Sequence, residues 1–228
     1  MLKKLNNIGD AAIVCDFGDE VNQAVNNEVI KLFHYLTKQA SLNILPGILN
    51  CTPSYNKLLI SFDLKQTNSK QVCDFINSID LKKLKLDQKK KDWIIPICYA
   101  HELDLTNMAK ELKLSKEEII NYHLNTIFFI YMIGFVPGHP FMGDLNSKLF
   151  LNRLQTPRVK VPEGSVGIVE KFCNIYPYES PGGWNILGRT PLKLFDNKNK
   201  TRPCLLSPGD TVKFKSISEE EFNNFKNE

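Results

Sequence analysis

The chain has no apolar run near the roughly 20 residues that a membrane-spanning helix needs. No apolar stretch follows the lysines of its opening MLKKLNNIGD, so it does not begin like a secretory signal. It contains no CxxC pair and no Cys/His cluster at zinc-site spacing. Cys15, Cys51, Cys73, Cys98, Cys173 and Cys204 therefore read as reduced thiols of a cytoplasmic protein, with no metal implied. A GxxxxGK[ST] loop is missing, as is a GxGxxG after a strand, which excludes two common modes of phosphate binding. Nor is there an internal repeat, or a large excess of one charge: 29 Lys and Arg stand against 25 Asp and Glu. The basic run KKLKLDQKKK at 82–91 lacks interleaved aromatics, so it reads as a solvated linker face rather than a nucleic-acid site.

What remains is a globular composition, 43% hydrophobic and 24% charged over 228 residues. A chain of this length buries roughly 70% of its unfolded surface and is long enough for two small domains. The lysine run marks the expected boundary, with one domain at 1–88 and a second at 89–228. In the first, residues 11–17 read as a buried strand, 18–19 as a turn and 21–39 as a helix with Val21, Val25, Val29, Leu32, Phe33 and Leu36 at helical spacing. Strands at 48–52 and 57–62 and a helix at 69–79 complete a β-α-β-β-α order, a two-layer α/β sandwich.

The second domain opens with a strand at 93–99, which Pro96 assigns to an edge. Two short helices follow, the second started by a capping box of Ser115 and Glu118. An apolar strand at 126–133 leads into short strands near Val166, Ile175, Ile186, Leu192 and Val212, separated by turn residues. That pattern predicts an α+β fold with a β-barrel or small sandwich rather than a parallel sheet. Ser218 and Glu221 form a capping box for a last helix.

The chemistry-bearing region is 134–189, where Gly134, Gly138, Gly143, Gly182, Gly183 and Gly188 alternate with Pro137, Pro140, Pro157 and Pro181. Such density makes rigid loops that hold backbone N–H groups and a few side chains around a ligand or partner. Within it, Arg158 and Arg189 are candidate anion grips, with an internal salt bridge to Glu163, Glu179 or Asp144 as the structural alternative. His123, near a helix end, could serve as general base or orienting donor, or simply satisfy backbone carbonyls. His139, between Gly138 and Pro140, is expected to be exposed. Ser180-Pro181-Gly182-Gly183-Trp184 reads as a backbone nest needing positive φ, walled by Trp184. Ser180 lacks the surroundings of a nucleophile. Phe135, Phe141 and Met142 are expected to form an exposed apolar patch.

The run GFVPGHPFMGDL, then TPRVKVPEGSVGI, then IYPYESPGGWNILGRTP resembles the KipI family, also called allophanate hydrolase subunit 1 or the B subunit of 5-oxoprolinase. Family members look like G-F-x-P-G-F-x-Y-L-G-G-L, T-P-R-x-x-V-P-x-G-S-V-G-I and I-Y-P-x-x-S-P-G-G-W-x-x-I/L-G-R-T-P. Outer positions also fit, among them Gly9-Asp10, Leu45-Pro46-Gly47 and His123. The departures are His139 at a usual Phe, Phe141 at a usual Tyr, Met142 at a usual Leu and Asp144 at a usual Gly.

The resemblance implies a cyclophilin-like barrel for the second domain. It also implies a role as the B subunit of an ATP-dependent 5-oxoprolinase complex that converts 5-oxo-L-proline to L-glutamate, inactive alone and working with a KipA-like C subunit and an A subunit. ATP would bind to the complex, at a site not assigned to this chain. Catalytic roles would fall to His123, Arg158 and Arg189. Substrate or partner contacts would fall to Gly134, Phe135, Pro137, Gly138, His139, Ser180, Pro181, Gly182, Gly183 and Trp184. Some members act as inhibitors of a sporulation histidine kinase, which leaves a binding module without chemistry as a second reading. A carboxyltransferase component for a urea-like amide is the third.

Overall fold

Asn22 and Asn68 each turn an extended segment into a helix, accepting the N–H of Val25 at 2.9 Å and of Gln71 at 3.0 Å. The computed structural model describes residues 2–86 and 90–225 and divides into two units, Met1–Lys89 and Lys90–Glu228. The first unit runs β1 (Lys4–Asn7), β2 (Ala12–Asp16), α1 (Gln23–Ser41), β3 (Ile48–Pro53), β4 (Lys57–Phe62) and α2 (Ser69–Ser78). Its antiparallel sheet has the order β1-β2-β4-β3. Alternate residues Ile13 and Cys15 of β2 and Leu58, Ile60 and Phe62 of β4 meet Val29, Leu32 and Leu36 of α1 and Val72 and Ile76 of α2 in one core. The sequence reading omits β1, because KLNN carries a single apolar residue, Leu5, and its strand character comes from backbone pairing to β2. Helix α1 is also pinned by buried Asn26, whose Nδ2 donates to the carbonyls of Ser54 (3.0 Å) and Tyr55 (2.9 Å).

The second unit contains β5 (Asp92–Ile97), α3 (Leu105–Leu112), α4 (Lys116–Leu124), β6 (Phe128–Ile133), β7 (Pro140–Gly143), β8 (Arg158–Val161), β9 (Ser165–Val169), β10 (Phe172–Ile175), β11 (Ser180–Gly182), β12 (Asn185–Arg189), β13 (Thr211–Ser216) and α5 (Glu219–Phe225). Seven strands line up as β12-β9-β10-β7-β6-β13-β5, and β8 with β11 forms a separate ribbon. The two ends of the seven-stranded order meet. Just past β5, Cys98 exchanges two backbone hydrogen bonds with Arg189 at the end of β12, at 2.8 and 3.0 Å, so the sheet is nearly closed as a barrel. Strand β5 is terminal in the hydrogen-bonded order, where Pro96 is tolerated, and its pairing with β13 is parallel while the other ladders are antiparallel. Both capping boxes form: Glu118 N–H donates to Ser115 Oγ at 3.1 Å and Glu221 N–H to Ser218 Oγ at 3.1 Å.

Two expectations are corrected. No strand forms at Leu192; beyond Arg189 the chain is irregular as far as β13, apart from a bridge between Phe195 and Cys204. Met142 is 0% exposed and belongs to the barrel core with Phe128, Ile130, Ile168 and Cys173, because β7 turns it inward. Asp144, at a position where the resemblance has glycine, adopts φ +70 and accepts a hydrogen bond from the Tyr131 hydroxyl at 3.0 Å. Among the described residues, no helix is long and apolar enough to cross a membrane.

Asp210, 1% exposed, ties the start of β13 to the start of β5. It accepts from Lys91 N–H (3.0 Å), Trp93 Nε1–H (3.0 Å) and Ser207 N–H (3.1 Å). Asp210→Ala orphans all three donors and should lower the unfolding free energy by about 2–4 kcal/mol. Urea denaturation checks this, and an unchanged midpoint would mean that water replaces the carboxylate at no cost.

Candidate functional site

Loop 134–139, between β6 and β7, folds back on itself: Gly134 N–H donates to His139 O at 3.1 Å and His139 N–H to Val136 O at 3.2 Å. The fold-back puts Phe135 at φ +70 with 72% of its surface exposed, a backbone conformation that bulky residues rarely adopt. Facing this loop, β10 supplies Asn174, the segment after it supplies Tyr176, and β11 leads into Trp184. A cavity of about 220 Å³ lies between them. Its walls are aromatic, from Phe135, Phe141, Tyr176 and Trp184, with Pro181 and Gly182 along one side and Arg153 among the lining residues. Wider grooves of about 590 and 750 Å³ occur in the first unit, but neither holds a residue of the 134–189 region.

His139 lines this cavity and is 2% exposed, not the surface residue expected, because the fold-back packs its ring against Phe141 (4.8 Å between centroids, stacked) and Tyr176 (5.2 Å). Its Nε2 lies 3.0 Å from Asn174 Nδ2, and its buried Nδ1 has no partner. Burial pulls the imidazole pKa down from 6.5 to about 4, so the ring is neutral at pH 7.

The nest is corrected. Gly182 and Gly183 are absent from the positive-φ residues, and Ser180–Gly182 is the extended strand β11, paired with β8. Glycine is required at 182 for a different reason: a Cβ there would sit 2.2 Å from the Tyr176 hydroxyl. At 183 an added Cβ would find ordinary contacts, the nearest at 3.5 Å. Ser180 Oγ is buried without a hydrogen-bond partner, so no base activates it.

The three residues expected to be catalytic lie outside the cavity. His123 is 0% exposed inside the barrel, its Nδ1 2.7 Å from the Tyr99 hydroxyl and its ring between Phe214 (4.6 Å) and Phe128 (5.2 Å). Burial drops its pKa to about 3, and the ring packs as a core residue. Arg158 is ion-paired with Asp104, whose other oxygen accepts the N–H of Ile186 at 2.7 Å; the pair fastens β8 to β12 and the start of α3. Arg189 donates through Nε and Nη2 to the Glu163 carbonyl at 3.1 and 2.8 Å and covers the Phe222 ring. Both arginines therefore take the structural alternative, with Asp104 and a carbonyl in place of the carboxylates expected. Glu179 pairs with Lys160 at 2.9 Å instead. Gly134, Pro137 and Gly138 shape the 134–139 loop and do not line the cavity.

Arg153 does line it, is exposed, and makes no hydrogen bond or ion pair among the described residues. Sequence reasoning misses Arg153 because LNRLQ carries no local signal. It misses Asn174 and Tyr176 as site residues, although Tyr176 lies in the quoted IYP motif. The Tyr176 hydroxyl has its pKa raised by burial, an effect opposed by the nearby Asn174 amide and by Arg153. Among the described residues, no group of three or more His, Cys, Asp or Glu side chains gathers to hold a metal ion. The arrangement can clasp a small planar ligand between aromatic rings and offer it one cation and two neutral polar groups; it holds no nucleophile–base pair.

The family model described as "Carboxyltransferase domain, subdomain C and D" matches residues 3–206. The 5-oxoprolinase B subunit of Bacillus subtilis strain 168 is 33% identical over 238 residues, an alignment covering 99% of this chain and 97% of that protein. Among solved structures, TTHA0988 superposes with a TM-score of 0.80 at 30% identity over 92% of this chain, which spans only 40% of that longer chain. The K. lactis urea amidolyase shares the fold, with a TM-score of 0.75 at 20% identity over 94% of this chain and 15% of its own.

Two outcomes test this geometry. Gly182→Ala should cost about 1–3 kcal/mol by overpacking against Tyr176, whereas Gly183→Ala should be neutral or slightly stabilising; equal midpoints in urea would remove the close approach. The unfolded chain takes up the His139 proton near 6.5 and the folded chain only near 4, so stability falls as the pH drops through that interval and is unaffected above it. His139→Phe should remove about 2 kcal/mol of the stability that the wild type loses between pH 7.5 and pH 5, and parallel pH profiles of the two proteins would show an imidazole that titrates normally.

Proposed function

The chain belongs to the carboxyltransferase-domain family of subdomains C and D, and on that premise we propose that it is the B subunit of an ATP-dependent 5-oxoprolinase complex. The reaction is 5-oxo-L-proline, ATP and water to L-glutamate, ADP and phosphate. Near full-length likeness to a 5-oxoprolinase B subunit supports the assignment. The carrying observation is the cavity of about 220 Å³ with Arg153 in its lining, smaller than the sites that hold drug-sized ligands and suited to a compact amide acid.

In this reading the chain binds and orients. Arg153 takes the substrate carboxylate by charge-assisted hydrogen bonds, and Phe141, Tyr176 and Trp184 enclose the ring and exclude water. Neutral His139 holds its tautomer against Asn174 and does not act as a base at pH 7. The groups that open the amide come from the KipA-like C subunit, with the A subunit completing the complex, and ATP binds outside this chain. Phe135, a strained and exposed aromatic at the cavity, is the contact for the C subunit. The assembly works in the cytoplasm, where the six free cysteines stay reduced.

ATP-dependent glutamate formation, measured with this chain co-expressed with the A and C subunits and with each of the three omitted in turn, is the test. Turnover should vanish without this chain, and Arg153→Ala should raise KM for 5-oxoproline roughly 10–100-fold. Full turnover in the absence of this chain would overturn the assignment.

A further inference from the structure

The first residues of the basic run at 82–91 are folded onto the first unit. Asp80 accepts the Lys82 N–H at 3.1 Å through its side chain and the Lys83 N–H at 3.0 Å through its carbonyl, making one 3-10 turn at Leu81–Lys83. Leu81 and Leu84 pack against the core of that unit, which holds Lys83 and Lys85, on either side of Leu84, beside α1. Helix α1 brings Lys31, Tyr35 and Lys38, at i, i+4 and i+7 on one face, to the same groove of about 590 Å³. Among the described residues, no carboxylate lines it. The other wide groove of the unit, about 750 Å³, sets Lys3 and Lys4 beside Asp16, Asp19 and Glu20 and so answers its own charge. Lys31 and Lys83 have partners outside the lining, Glu28 at 2.6 Å and Asp80 at 3.4 Å. Lys38 and Lys85 are exposed and form no ion pair among the described residues.

Ammonium groups gathered around one groove repel one another, and a ligand that brings several negative charges relieves that repulsion. The lining holds no arginine and no glycine, so it lacks the rigid guanidinium fork and the backbone N–H nest that clamp a phosphate. Lysine is a hydrated point charge on a flexible stem, suited to carboxylates spread along a chain. Tyr35 and Leu84, both half-buried, add apolar surface between the charges. We propose that this groove docks an acidic peptide segment of a partner protein, with aspartates or glutamates flanking a large apolar residue. The apolar residue packs on Tyr35 and Leu84, and the carboxylates meet Lys38 and Lys85, whose charges have no partner within the chain. The site is independent of the 5-oxoprolinase reading and of the cavity in the second unit.

Fluorescence anisotropy on the full chain tests this, with a labelled peptide of glutamates around a central leucine pair and the same peptide carrying glutamine at each glutamate. The glutamate peptide should bind roughly 10-fold tighter or more, and its affinity should fall roughly 10-fold as salt rises from about 0.05 to about 0.5 M. Lys38→Glu combined with Lys85→Glu should weaken it roughly 10–100-fold. Lys65→Glu combined with Lys70→Glu, both exposed and outside the lining, makes the same change in net charge and should leave affinity within about 3-fold. Equal binding of the two peptides would overturn the proposal, as would an equal loss in the two charge-reversed variants. So would inorganic triphosphate or single-stranded RNA displacing the peptide at lower concentration than unlabelled peptide does, or no binding of the peptide at all.

Discussion

Two backbone hydrogen bonds between Cys98 and Arg189 join the ends of the seven-stranded order and hold β12, which Trp184 directly precedes, at the closure. A twisted sheet left open would present two edges of unpaired N–H and C=O groups; here β5 and β12 meet instead. The approach is close enough that a Cβ at residue 188 would stand 2.8 Å from the Cys98 carbonyl, so the Gly-Arg pair of the GRT motif is a closure device. Arg189 then reaches sideways to the Glu163 carbonyl, and Asp104 and Arg158 fasten the same strand from the other side. With β12 held at both flanks, Trp184 and β11 have one place to stand.

The two buried histidines show how similar environments produce different roles. Each is nearly inaccessible, and burial depresses both pKa values far below 6.5. His123 has Tyr99 against Nδ1 and Cys173 Sγ at 3.9 Å from Nε2, with aromatic rings on its faces, so it completes a core. His139 has one nitrogen matched and the other left over in the wall of a cavity. An unsatisfied buried polar atom costs stability, so the two rings differ in how fully their nitrogens are matched. Titration behaviour alone would not have separated them.

Much of the fold was legible in the chain. Period-two alternation in 57–62 and helical spacing in α1 state which faces are apolar, and the Ser-x-x-Glu boxes start α4 and α5 where expected. β1 and the false strand at Leu192 mark the limit, since the first is held by a backbone ladder that leaves little apolar trace and the second is apolar without a partner strand. Of the motif-rich run, Phe135, His139, Pro181, Gly182 and Trp184 meet at one cavity.

Which arginine lines the cavity was not legible. Arg158 and Arg189 sit in motifs, and a guanidinium in a motif looks alike whether it binds substrate or holds a loop; only the neighbours, Asp104 and the Glu163 carbonyl, far away in sequence, decide it. Arg153 has no motif, and it lines the cavity because β7, β10 and β11 bring Phe141, Asn174, Pro181 and Gly182 beside it. The amino-acid sequence by itself determined the strand and helix pattern, the caps and the rigid loop region, because those depend on residues a few positions apart. The cavity, the choice among arginines and the unequal fates of His123 and His139 were decided by tertiary structure alone, because burial and hydrogen-bond satisfaction are properties of contacts between distant segments.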